Sequence, residues 1–376
     1  MAPFCRICRS GLSKVLLELE NVPAAAQRMP ATPAELAADK GVDLKLCQCP
    51  ACGVLQHTAP PVPYFREVLR ASGVSDSMKR FRLEQFSGWV KRYGLAGKKV
   101  FEAGCGRGEY LSLMVQSGVD AVGVEYGREA VESCRKQGLD VVREFFETGD
   151  EKLPGEPFDG FFVLNFLEHI PDLPAFLRGI RNNLRPGAPG LVEVPNLDMI
   201  LRNSLLTEFS TEHIYSFTAE TLTGLLQNNG FTVRSCRSVW HDYILSAEVV
   251  RRGECDLSGC ADTRKRLDRE LRAFLDSHRK TAFWGAGHQA LTVLALSGMT
   301  SEKICFVVDS SPEKQGHFTY TTHIPVVSPD QLAASDADSV IVACGGYSDE
   351  VVSILRARFP ERFALAVLRE NTLDLS

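Results

Sequence analysis

The segment Lys98-Lys99-Val100-Phe101-Glu102-Ala103-Gly104-Cys105-Gly106-Arg107-Gly108 constrains this chain more than any other. Val100, Phe101 and Ala103 make an apolar strand that runs into Gly-x-Gly-x-Gly, and a helical pattern follows over 109–117. Glycines at such a turn carry no Cβ, so a ligand can approach the backbone closely. A second apolar strand, Ala121-Val122-Gly123-Val124, comes next and ends in Glu125. A carboxylate at the tip of that strand can accept hydrogen bonds from ribose hydroxyls. These pieces describe the first half of an α/β Rossmann-like unit with a site for an adenosyl ligand.

Dinucleotide sites space their glycines G-x-G-x-x-G to seat a pyrophosphate on the helix N-terminus. Here the pattern is E-x-G-x-G-x-G, formed by Glu102, Gly104, Gly106 and Gly108. It resembles the first motif of class I S-adenosylmethionine-dependent methyltransferases. In that family the ligand carries a cationic sulfonium and an amino acid tail, which suits a nearby carboxylate. The residues alone leave open a Rossmann-like unit for another nucleotide, or for none.

The alternation continues downstream. A helix is expected over 128–137, stopped by Gly138, and a strand over 141–143. In methyltransferases the loop after this third strand borders the adenine ring, so Phe145 could stack there, although Phe145 and Phe146 read equally well as core. The stretch from Phe158, with its continuous apolar run Phe161-Phe162-Val163-Leu164, is a fourth strand buried on both faces and ending at Asn165. Ligands of open α/β sheets bind at the carboxyl ends of strands, which directs Asn165 and His169 toward the cofactor region. The bland alternative makes each of them a cap. A fifth strand is expected over 190–196. After it, Phe209-Ser210-Thr211-Glu212-His213-Ile214-Tyr215 gathers a carboxylate, an imidazole and a phenol. A Glu beside a His can tune its charge and orientation, as a general base near neutral pH requires; a structural pair is the competing account. A helix over 219–228 and strands over 231–234 and 243–250 finish the sheet, the last antiparallel.

At 376 residues the chain has room for two or three domains. We expect a module over 1–62, a helical lead-in and core over 63–250, and a linker helix with a second Rossmann-like domain over 251–376. A net charge of −5 gives no support to a nucleic-acid or anionic-membrane partner. No apolar run is long enough to span a bilayer, and the N-terminus lacks a signal-peptide core, so a cytoplasmic location is expected. Four of the twelve cysteines form two knuckles, Cys5-x-x-Cys8 and Cys49-x-x-Cys52. Four thiolates satisfy a tetrahedral, closed, structural Zn²⁺ site. Cys47 competes as a ligand, but Cys49 keeps the C-x-x-C spacing. Redox activity is the weaker alternative. Leu44, Leu46, Val54 and Leu55 would form strands around the metal, 22–33 a loop, and 64–93 helices, with a turn at 71–77 capping the second.

In the tail, Thr281 to Gly287 opens a strand–turn–helix, and Ile304 to Asp309 is a strand ending in an acid. Only two glycines of a dinucleotide fingerprint are present. The polar stretch over 309–325 could line a ligand cleft.

The order of a Cys₄ module, a class I core with Glu212-His213 after strand five, and a Rossmann-like tail resembles the sugar C-methyltransferases over essentially the whole chain. The specific parts are the four cysteines with Gly53-Val54-Leu55-Gln56, the Glu-His pair, and the tail's Val308-Asp309 through Lys314-Gln315-Gly316 to His323-Ile324-Pro325. The resemblance implies C-methylation of a nucleotide-linked 4-keto deoxysugar through an enolate. His213 would be the base, Glu212 and His169 would assist, and the tail would help hold the nucleotide-sugar. The chain departs from the pattern at three places. Ser210 stands where a Tyr is usual, Val68-Leu69-Arg70 lacks an upstream Tyr, and Glu168 replaces a small residue before His169. Tyr215 is the candidate for the missing phenol. These departures leave room for a different substrate. The rivals are an O- or N-methyltransferase on the same scaffold, a non-catalytic zinc-containing binding module, and a nicotinamide-dependent tail, which the missing third glycine opposes.

Overall fold

The computed structural model describes residues 3–12, 14–68 and 74–375. They divide into two compact units at Glu254 and Cys255. Leu69 to Gly73, on which the missing Tyr and part of the expected turn fall, lie outside the described residues.

The first unit opens with β1 (Val15–Val22), α1 (Pro33–Ala38), β2 (Val42–Gln48) and β3 (Leu55–His57). The Pro/Ala-rich stretch between β1 and α1 is irregular as expected, but α1 follows it under a capping box between Thr32 and Glu35. The segment expected as helices from 64 contains one 3-10 turn, Phe65–Glu67, before α2 (Asp76–Tyr93). Ser75 caps α2 by accepting from the Met78 N–H at 3.2 Å.

The core then alternates: β4 (Lys99–Ala103), α3 (Glu109–Gln116), β5 (Asp120–Glu125), α4 (Arg128–Lys136), β6 (Val141–Arg143) and β7 (Gly160–Leu164). It continues with α5 (Leu173–Asn182), β8 (Pro189–Pro195), α6 (Leu197–Arg202), β9 (Tyr215–Ser216), α7 (Ala219–Asn228), β10 (Phe231–Val239) and β11 (Ile244–Arg251). The large sheet has the order β6-β5-β4-β7-β8-β11-β10, parallel as far as β8. The antiparallel strand β11 sits between β8 and β10. Successive residues of a strand face opposite sides, and β7 shows the consequence. Phe161 and Val163 join the core under α5 and α7, while Phe162 and Leu164 join the one under α2, α3 and α4. The strand order reverses direction between β4 and β7, which places a crevice at their carboxyl ends.

Two polar anchors seat α2 on the sheet. Arg82, fully buried, pairs with Glu193 of β8. Arg92 pairs with Glu248 of β11, which also accepts from the Tyr93 hydroxyl at 3.0 Å. The N-terminal module, expected as a domain of its own, packs within the first unit. Its sheet, β1-β2-β3-β9, is completed by a strand that comes from the segment after β8.

The second unit has α8 (Ser258–Asp276), β12 (Thr281–Trp284), α9 (His288–Leu296), β13 (Ile304–Val308), β14 (Val326–Val327) and α10 (Pro329–Ala334). It ends with β15 (Ser339–Val342), α11 (Ser348–Arg358), β16 (Ala364–Arg369) and β17 (Thr372–Leu375). Its sheet, β14-β13-β12-β15-β16-β17, is parallel except for the last strand. This is the small Rossmann-like unit expected for the tail. Among the described residues no helix is long and apolar enough to cross a membrane.

Candidate active site

The turn between β4 and α3 is built on left-handed glycines. Gly104 has φ of +72° and lies under the Phe166 ring, where an added Cβ would come within 2.4 Å of the ring. Gly108, at φ +87°, starts α3 against Leu139 and Cys134. Glu125 stands at the tip of β5 and braces this loop. Its carboxylate accepts the Gly106 N–H at 3.0 Å and the Gly127 N–H at 2.7 Å. Gly104, Glu125 and Phe145 border one slot, with Arg66, Tyr126 and Phe166. The slot measures only about 10 Å³. Glu102 is buried within β4, and neither it nor Gly106 or Gly108 lines this slot or the large cavity described next.

A cavity of about 950 Å³ opens beside the same strand ends. Asn165, Glu168, His169, Glu212 and His213 line it, with Arg107, Glu208, Trp240 and Tyr243. Asn165 holds a left-handed backbone, φ +50°, at the end of β7, a conformation that concentrates at functional turns. Its N–H donates to the Glu193 carbonyl at 2.8 Å.

The two histidines meet edge to face, with ring centroids 4.9 Å apart. His169 Nδ1 lies 2.9 Å from the Glu212 carbonyl. A carbonyl only accepts, so Nδ1 carries the proton and Nε2 keeps its lone pair. Burial, followed by the neighbouring His213, pushes the His169 pKa down to about 3, so the ring is neutral. Burial also lowers the pKa of half-buried His213, against an upward pull from Glu212 and Glu208. Neither ring nitrogen of His213 hydrogen-bonds to another described residue; its backbone N–H donates to Ser210 Oγ at 3.3 Å.

Glu212 is engaged away from His213. Its Oε1 accepts the Ala26 and Gln27 N–H groups, each at 2.9 Å, and the Tyr64 hydroxyl at 2.7 Å. Tyr215, expected as a catalytic phenol, does not border the cavity. It is 1% exposed, packs on Phe217, and donates to the Pro171 carbonyl at 2.8 Å. The phenol beside the Glu-His pair is Tyr64, within a stretch read from sequence as helical. Tyr243 is a second phenol missed by sequence reasoning; it donates to Glu208 at 2.5 Å on the cavity wall. Neither position carries a motif that marks it.

In the N-terminal module the sulfurs of Cys5, Cys8, Cys49 and Cys52 all lie within 4.8 Å of one another. Cys5 and Cys52 are 3.7 Å apart, Cys8 and Cys49 3.4 Å. A tetrahedron with metal–sulfur bonds of about 2.3 Å has edges of roughly 3.8 Å, so the four thiols can hold such an ion. Cys47 lies outside the group. In the second unit Asp309, at the end of β13, accepts from Ala286 and Ser311 N–H groups, each at 2.8 Å, and pairs with Lys314 at 3.1 Å. The Asp thus braces the Gly285–Gly287 turn as Glu125 braces its own.

A methyltransferase-domain family model matches residues 78–236, and a model of the C-methyltransferase C-terminal domain matches residues 258–362. The chain thus carries a methyltransferase domain followed by a C-methyltransferase C-terminal domain. It is a methyltransferase. The C-methyltransferase NovU of Streptomyces niveus is 24% identical over 343 residues, covering 83% of this chain and 82% of that one. A ubiquinone biosynthesis O-methyltransferase of Pseudomonas aeruginosa is 34% identical over 106 residues, 26% of this chain and 45% of its own length. Among solved structures, an S-adenosylmethionine-dependent methyltransferase from Mesorhizobium loti is 15% identical, with a TM-score of 0.37 over 45% of this chain and all of that one.

Proposed function

We propose that this C-methyltransferase moves the methyl group of S-adenosylmethionine to a ring carbon of a nucleotide-linked keto-deoxysugar, with His213 as the base. The observation that carries the proposal is the His213 ring on the wall of the large cavity. Its nitrogens are uncommitted among the described residues, and it rests against a histidine held neutral. The left-handed glycine loop, the Glu125 carboxylate and the Phe145 face fit an adenosine, and the cofactor supplies an electrophilic methyl when bound.

A keto group acidifies the hydrogen on the neighbouring carbon. His213 takes that proton, and the C–H electron pair passes into the enolate. The enolate carbon would supply both electrons of the new C–C bond, and the pair of the breaking C–S bond would stay on sulfur. Donors placed at the developing oxyanion lower the barrier. Arg107 on the cavity wall is the candidate for this role, since the Tyr243 hydroxyl already donates its one proton to Glu208. Glu212 keeps the base in place through the 26–27 loop and Tyr64. The Cys5, Cys8, Cys49 and Cys52 thiolates hold a structural Zn²⁺.

The test is methyl transfer from labelled S-adenosylmethionine to a panel of nucleotide-linked 4-keto sugars in deuterated water, beside His213→Ala. The expected result is methyl on carbon, with solvent exchange at the adjacent position abolished in the variant. Removing a positioned base costs about 10²–10⁴-fold. Methyl found on oxygen or nitrogen would overturn the enolate, and the partial likeness to an O-methyltransferase makes that arm worth running.

A further inference from the structure

We propose that Glu168, His169 and His213 form a binding site for a divalent first-row transition-metal ion on the wall of the large cavity. The three offer ligand atoms that all lie within 4.8 Å of one another. His169 Nε2 is 3.9 Å from Glu168 Oε1. Glu168 and His169 come from the turn after β7, and His213 from the segment leading into β9. A hydrogen bond from the Ile214 N–H to the Glu168 carbonyl, 2.8 Å long, ties those two segments together.

The second, independent observation is the hydrogen bond behind His169. Its Nδ1–H is spent on the Glu212 carbonyl, which fixes the tautomer and aims the Nε2 lone pair at the other two groups. A histidine that ligates a metal is held in this way: one ring nitrogen donates to a carbonyl or carboxylate while the other coordinates. Two neutral imidazoles and one carboxylate suit Zn²⁺, Co²⁺ or Fe²⁺ better than the oxygen-seeking Mg²⁺ or Ca²⁺. Bonds of about 2.1 Å place ligand atoms roughly 3 to 3.4 Å apart, so the triad closes by about an ångström around an ion. All three side chains border the cavity, which leaves the remaining coordination positions facing it.

The functional consequence rests on the reading of His213 as the base. An ion bound there takes the lone pair that would remove the substrate proton, so metal occupancy and turnover exclude each other. The ion is then an inhibitor that competes with the methyl acceptor.

The full chain, with its cysteine site filled with Zn²⁺, is titrated with Co²⁺ and followed by visible absorption and by methyl transfer. Imidazole–carboxylate coordination gives weak ligand-field bands, whereas Co²⁺ entering the thiolate site gives intense sulfur-to-metal charge transfer. The site predicts one equivalent with ligand-field bands alone. Glu168→Gln and His213→Asn, each checked for folding by circular dichroism, should each weaken binding by at least about tenfold. Charge-transfer bands alone, or affinity indifferent to both substitutions, would overturn the site. Binding that needs the triad but leaves methyl transfer uninhibited would keep the site and reject His213 as the base.

Discussion

Glu212 and His213 are neighbours in sequence, yet their side chains do different work. The Glu212 carboxylate gathers two backbone N–H groups and the Tyr64 hydroxyl, so it fastens the loop around residue 26 to the segment that carries His213. Glu212→Ala should destabilise the first unit by about 2 kcal/mol, because three part-buried donors lose a charged acceptor and regain only water; Tyr64→Phe should cost about 1 kcal/mol. Urea unfolding of both variants checks the ratio. His57 makes a second prediction. Burial, helped by the charge of Arg6, pushes its pKa down to about 4. Between the unfolded value near 6.5 and that value, the unfolded chain binds the proton and the folded one does not. Stability is therefore full above pH 6.5 and falls as the pH drops toward 4, by about 3 kcal/mol in all. His57→Gln can still donate to the Thr211 carbonyl, and it should flatten the pH dependence of the urea midpoint between pH 7 and 5. At this scale the sequence marks residue types that could carry chemistry but not which way they face. Nothing in the order Glu-His-Ile-Tyr says that β9 turns Tyr215 into the core toward Pro171 while His213 stays at the cavity.

Among the elements, helix α2 carries the clearest energetic consequence. Arg82 is fully buried and its partner Glu193 lies in the middle of β8. Arg82→Met should destabilise the first unit by about 3–5 kcal/mol, because it leaves a buried carboxylate without its cation. Adding Glu193→Leu to Arg82→Met should recover most of that loss. A double variant no more stable than the single one, by urea midpoint at constant slope, would remove the pair as the cause. The elements read correctly from sequence are those buried on one or both faces, where apolar periodicity survives. Strand β1 was missed because nearly all its residues are exposed and it is held by pairing with β2. Strand β10 was cut short at Arg234 because Ser235, Arg237 and Ser238 are polar. Its ladder with β11 nonetheless runs on to Val239 opposite Ile244. Pairing with a partner distant in sequence supplies the missing stabilisation, and a local pattern does not record it.

At the scale of the first unit, the cysteine cluster and His213, the proposed base, are linked by a short chain of contacts. The cluster joins the Cys5–Cys8 arm to the Cys49–Cys52 turn at the foot of β3. Gln56 ties the two, accepting from the Arg6 N–H at 3.1 Å and donating to Cys5 Sγ at 3.1 Å. Gln56 pairs with Tyr215 across β3 and β9, and the His57 N–H donates to the Ile214 carbonyl at 3.1 Å. The His57 ring lies 3.2 Å from the Thr211 carbonyl, so residues 211–216 are clamped on both sides of His213. The glycine loop and Glu125, by contrast, belong to the other sheet. Removing the proposed Zn²⁺, by chelation or by Cys49→Ser, should therefore loosen His213 and leave the proposed adenosyl site intact. We expect turnover to fall by about 10- to 100-fold, the cost of a misplacement near one ångström, with S-adenosylmethionine affinity changed by less than about threefold. Turnover and calorimetric binding on the same metal-free sample separate the two. Equal losses of both would mean that the module merely keeps the unit folded, and full turnover without metal would dissolve the link between cluster and base.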